Sequence, residues 1–146
     1  MTTRTMIFPA HGDFKAHIAG NTVISEVQGP WNMQLLQDWA VAVTPLYSQL
    51  GQIGVCAGIS IHTNSVLTQP ECITHHRALT EFAVEHYNFA ACASVITADV
   101  EGSKLAKTIL SPIFAGIVPY EVFPDLNSAQ KWVNLQLEQQ RKSRQG

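Results

Sequence analysis

His62, Cys72, His75 and His76 are the side chains in this sequence that come nearest to a metal-binding set. Cys72 and His76 stand four apart, which on a helix places both on one face, as two ligands of one ion must be. No third ligand follows at a diagnostic spacing and there is no His-Glu-x-x-His element, so no metal is expected. Nucleophilic catalysis would need a Ser or Cys beside a His and a carboxylate. The chain contains these types but no glycine-serine-glycine elbow and no cysteine with activating neighbours. Glu26, Glu71, Glu81 and Glu85 form no pair whose surroundings would separate an acid from a base. Glu101-Gly102-Ser103-Lys104 carries a glycine ahead of a helix start, which favours anions, but lacks the glycine spacing of a phosphate-binding loop. Arg141-Lys142-Ser143-Arg144 reads as a cationic helix end that complements the macrodipole. These residues point away from an enzyme, and no cofactor is expected.

The elements that would position them alternate along the chain. Residues 14–18 and 23–27 alternate in polarity around Gly20-Asn21, a hairpin signature. Gly29-Pro30 is expected to open a helix in which Trp31, Leu35, Trp39, Val43 and Leu46 share a face, ending at Gly51, with Pro45 bending or shortening it. A strand is predicted over 53–62, where Gly54, Cys56, Gly58 and Ser60 make one face small enough for close approach by a helix or ligand. Thr68-Gln69-Pro70-Glu71 has the form of a capping box for a helix to about Tyr87, with Ile73, Leu79, Phe82 and Ala83 inward. Residues 89–97 are nearly all apolar or small, as in a central strand covered on both faces. A loop at 99–102, a short helix over 103–111 ending near Pro112, a strand over 118–123 and a helix over 127–141 capped by Asn127-Ser128-Ala129-Gln130 complete the chain.

The order ββαβαβαβα predicts an α/β fold, a single-layer mixed sheet of about five strands with helices mainly on one face. All 146 residues read as one domain with its core at about 14–137. An apolar fraction of 46% belongs to a folded chain, and only 14% charged residues leave apolar surface for a partner or ligand. A net charge of −2 gives no general attraction to nucleic acid. Cys56, Cys72 and Cys92 are odd in number and mostly set in apolar runs, so they read as buried thiols of a reducing compartment, the cytoplasm. The first fourteen residues show no leader pattern, and no apolar run approaches the roughly 20 residues that span a bilayer.

Three stretches carry a family resemblance. They are 20–29 leading through Pro30-Trp31 into a helix, the strand at 53–61, and the ending Phe123-Pro124-Asp125-Leu126-Asn127-Ser128-Ala129-Gln130-Lys131-Trp132-Val133. Together they resemble the SpoIIAA-like (STAS-like) family over about residues 14–137. The resemblance implies a mixed sheet with helices mainly on one face. It also implies a non-enzymatic regulatory or protein-interaction module akin to anti-sigma-factor antagonists, which are switched by phosphorylation of a serine before the second helix. Here Ser65 is the nearest counterpart, in a loop without the aspartate before it or the glycine after it, so the usual phosphoserine motif is not present.

Two functions therefore stand beside each other: a protein-interaction module, or a binder or carrier of a small apolar, lipid-like molecule held between aromatic helices and small-residue strands. Because ligands on open α/β sheets collect beyond the carboxyl ends of strands, binding is expected at Thr63, Asn64, Ser65 and Thr68 together with Asp99, Gly102 and Ser103. A two-fold homodimer is expected through the 14–18 edge strand and the helix bearing Trp31 and Trp39.

Overall fold

Gly20, at φ +63°, turns the chain between β2 (Phe14–Ala19) and β3 (Thr22–Gln28), which pair antiparallel from Phe14↔Val27 to Ala19↔Thr22. This computed structural model describes residues 5–7 and 14–145. The reading of the N-terminus as leaderless falls mostly on residues outside that set. A further strand, β1 (Thr5–Ile7), pairs antiparallel with the outer side of β2. Phe14–Ala16, part of the edge expected to carry a dimer, are therefore paired within the sheet. β4 (Cys56–Thr63), β5 (Phe89–Val95) and β6 (Tyr120–Phe123) then add in parallel, so the six strands lie in chain order in one mixed sheet.

Helix α1 (Met33–Gly51) begins later than Gly29-Pro30 because the backbone before it is used elsewhere. Gly29 N–H donates to the Thr63 carbonyl and Trp31 N–H to the Leu67 carbonyl, both at 3.0 Å. Asn32 is the true cap, its Oδ1 accepting Leu35 N–H at 2.8 Å. Pro45 does not shorten the helix: it lies on the exposed side, where water can serve the carbonyl it leaves unpaired. α2 (Pro70–Tyr87) has proline at its first position, but Gln69 is the cap and makes no side-chain bond, so the capping box of Thr68 and Glu71 does not form. After a 3-10 turn at Ser103–Leu105, α3 (Ala106–Phe114) runs through Pro112. α4 (Leu126–Gln145) is capped by Asp125, whose carboxylate accepts Ser128 N–H at 2.7 Å, rather than by Asn127.

β4 starts at Cys56, not at residue 53. Ile53 is 73% exposed in the turn after α1, while Cys56 N–H donates to the Asn88 carbonyl where β5 begins. From there side chains alternate strictly. Ala57, Ile59 and Ile61 join Ala91, Ala93 and Val95 of β5 beneath α4, which contributes Ala129, Val133 and Leu137. The opposite face meets α1, α2 and α3, so three of the four helices share one side of the sheet. Trp31 and Trp39 are buried in that layer at 6% and 8% exposure, so neither ring is offered to a second copy of the chain. Among the described residues no helix is long and apolar enough to cross a membrane.

Candidate functional site

Small residues on the helix-facing side of β4 and β5 leave the floor of the layer low. Gly58 is needed there: a Cβ on it would lie 2.3 Å from the Tyr47 hydroxyl. Beyond it, Ser60 and His62 follow on β4, and Cys92 and Ser94 on β5. The roof is built by two helical stripes. α1 offers Leu36, Trp39, Ala40, Val43, Thr44 and Tyr47; α2 offers Cys72, Ile73, His76, Leu79, Thr80 and Ala83, each set at spacings of three and four. Between these stripes and a floor of Ser60, His62, Phe89, Cys92 and Ser94 lies a cavity of about 90 Å³. Phe114, Ile113 and Leu110 of α3 close one side. Arg77 fastens that wall, donating to the carbonyls of Pro112 and Ala115 at 2.8 and 2.9 Å at the end of α3.

The polar groups around the cavity are mostly paired. Trp39 Nε1 donates to Ser25 Oγ at 3.0 Å, Tyr120 OH to Ser94 Oγ at 2.7 Å, and Thr80 Oγ1 to the His76 carbonyl at 2.9 Å. Replacing Trp39 with Phe strands the buried Ser25 hydroxyl and should cost about 1–3 kcal/mol in chemical denaturation. Adding Ser25→Ala should restore part of that loss, and a double variant no more stable than the single one would contradict the account.

His62 is the exception. It is 6% exposed, lines the cavity, and its Nδ1 has no hydrogen-bond partner among the described residues. Burial pulls its pKa down to about 4. His76 is pulled down to about 3, by burial first and then by His62 and His75. Its ring is boxed by Trp39, Trp31 and Phe114 at centroid distances of 5.2, 5.9 and 5.9 Å. At neutral pH both imidazoles are therefore uncharged, and no Asp, Glu, Lys or Arg lines the cavity among the described residues.

Nucleophilic chemistry finds little support in this geometry. Burial pushes the Cys56 and Cys92 thiols up to about 12, which keeps both protonated. Burial likewise raises Tyr47 and Tyr120. Among the described residues no three His, Cys, Asp or Glu side chains are placed to share a metal ion. Cys72 and His76 do share a face of α2, as expected, and it is the face that roofs the cavity.

The loops expected to bind lie side by side. Ser65 bridges Glu101 in parallel; Val66 N–H donates to the Glu101 carbonyl at 3.0 Å, and Glu101 N–H to the Asn64 carbonyl at 2.9 Å. Their polar groups are spent on neighbouring backbone. Asn64 Nδ2 donates to the Gly29 carbonyl at 2.7 Å, Thr63 Oγ1 to the Val27 carbonyl at 3.3 Å, and Ser103 Oγ to the Ala98 carbonyl at 3.1 Å. Asp99 is exposed, its carboxyl held below the usual range by the Thr97 hydroxyl. Gly102, at φ +82°, sits over Val66 and Leu67. Ser65 is 1% exposed and its Oγ accepts Leu67 N–H at 3.1 Å, so a kinase would reach it only after the loop opened. Of these residues only Thr68 borders the cavity. The reason is topological: the strands never reverse order and the three crossovers α1, α2 and α3 lie on one face, so the strand ends present no switch-point crevice.

Among the residues that line the cavity, the sequence points to His62 and His76 only as metal ligands and does not single out Thr80 and Ser94. The available signal was the stripe at 72, 73, 76, 79, 80 and 83, which places His76 on the inward face of α2. Comparison with protein-family models, with curated proteins and with solved structures gives no match.

Proposed function

We propose that this protein binds a small, largely apolar molecule between α1, α2 and the sheet, acting as a carrier or sensor. The observation that supports the reading is the cavity of about 90 Å³, walled by aromatic and aliphatic side chains with few polar groups among them. An apolar cavity of about 150 Å³ accepts benzene; this one is smaller, so it holds a short alkyl chain, or a ring that lies partly in the open seam between the helices. A longer tail has an exit along the seam of the two helices, where Ala40, Thr44, Leu79, Phe82 and Ala83 are partly or fully exposed. Trp31 and Trp39 line the space whereas Trp132 packs on Phe123 across the sheet, so two of the three tryptophans report on occupancy. Titration with ethylbenzene should change tryptophan emission saturably, and Ala83→Phe, which fills the seam, should abolish the response. A flat titration together with no co-purifying adduct in native mass spectrometry would sink the proposal.

A second reading, a regulatory protein-interaction module of STAS-like type, is supported by the element order ββαβαβαβα from β2 to α4, which accords with the resemblance. The three free and buried cysteines fit a cytoplasmic setting for either reading. Recovery of no partner in a pull-down from the source cell counts against the module. The expected homodimer would leave Phe14–Ala16 and the two buried tryptophans out of its interface, and sedimentation at micromolar concentration tests it.

A further inference from the structure

We infer that the ligand of this cavity carries an uncharged hydrogen-bonding head, a hydroxyl of phenol or alcohol type, which docks on His62 while its apolar body lies under α1 and α2. The inference rests on the small-molecule reading above and adds the chemistry of the ligand. His62 is buried, borders the cavity and keeps a ring nitrogen with no partner among the described residues. A native protein rarely leaves such a group unanswered, because an unmade buried hydrogen bond is costly. A neutral imidazole offers one donor and one acceptor, and a hydroxyl can meet either.

Charge selects the head. A carboxylate would enter a space with no Lys or Arg among its described lining residues and two imidazoles that are neutral at pH 7. It would be desolvated without a counter-ion, as would an ammonium in the absence of Asp or Glu. A hydroxyl carries no such penalty. The box of Trp31, Trp39 and Phe114 around His76 gives the end of the cavity near His62 flat apolar walls, which suit a ring rather than a branched body.

The experiment compares four single-ring probes that share an ethylphenyl body, by tryptophan emission at pH 7: 4-ethylphenol, ethylbenzene, 4-ethylbenzoate and 4-ethylbenzylamine. We expect 4-ethylphenol to bind roughly tenfold more tightly than ethylbenzene, the worth of one buried hydrogen bond, and the two ions to bind more weakly than either. His62→Leu should erase the phenol's advantage and leave ethylbenzene binding intact, while His62→Gln, which keeps a donor and an acceptor, should retain part of it. Should His62→Leu fail to fold, the ranking of the four probes on the native protein still decides the matter. Equal binding of phenol and hydrocarbon, or tightest binding of benzoate, overturns the neutral head but leaves the cavity a binding site. No binding of any probe overturns both.

Discussion

Acidification from pH 7 to pH 4.5 is expected to destabilise this protein steeply, with the loss beginning near pH 6.5, about two units above the ordinary carboxylate range. His62 and His76 have folded-state pKa values near 4 and 3, against 6.5 for an ordinary imidazole. Above pH 6.5 both are neutral in either state and nothing is lost. Below it the unfolded chain takes up protons that the folded chain refuses, so stability falls as pH falls until the folded values are reached. Each withheld proton is worth about 1.4 kcal/mol per pH unit, and two over about two units amount to roughly 5 kcal/mol. A domain whose whole stability is about 5–15 kcal/mol feels that as loosening or unfolding. No carboxylate among the described lining residues offsets the cost. Melting temperatures recorded from pH 8 to pH 4 should drop over this window. His62→Leu should remove about half of the slope, and His76→Phe, which suits a box of Trp39, Trp31 and Phe114, most of the remainder. A melting temperature that stays level from pH 7 to pH 4.5 would mean that the two rings are not buried as described.

Gly29→Ala is expected to be the most damaging single-methyl change. A Cβ at this position would lie 2.0 Å from the Ser65 carbonyl oxygen. That oxygen belongs to backbone held by the Ser65–Glu101 bridge, so it cannot swing aside as a flexible side chain would. The connection between β3 and α1 must then part from the loop after β4, taking with it the bonds of Gly29 to Thr63 and of Trp31 to Leu67. Overpacking of this kind costs about 3 kcal/mol, or roughly 10 °C in melting temperature for a chain of this size. Trp31 should shift with the backbone, so the ligand response of its emission should weaken too. Gly54→Ala is the control: an added methyl there meets nothing within 4 Å. It should melt within about 2 °C of the parent, and a Gly29→Ala variant that did the same would refute the argument.

The order of elements was legible because it rests on short-range pattern. Period-two runs, helical spacings and glycine turns located β2 to β6 and all four helices, and the small residues of β4 together with the helix aromatics already indicated an apolar pocket. Element ends were less legible because caps compete. Thr68-Gln69-Pro70-Glu71 satisfies a local rule, yet the chain reaches Pro70 from a loop whose hydrogen bonds run to Glu101 and Trp31, and no box forms. β1 was not legible at all: a three-residue strand is defined by its partner rather than by its own pattern.

The sequence by itself determined the α/β class, the alternation of strand and helix, which stripe of α1 turns inward and which face of β4 is small, since each follows from spacing along a single element. Where those faces leave a gap was decided only in three dimensions. The order of strands and the common side of the three crossovers depend on pairings between residues far apart in sequence. They close the strand-end loops against one another and open the cavity on the flank of the sheet instead. His62 ends a strand and His76 lies mid-helix, fourteen residues on. Only the packing of α2 against α1 and β5 brings them to one apolar space, where burial, not spacing, sets their charge.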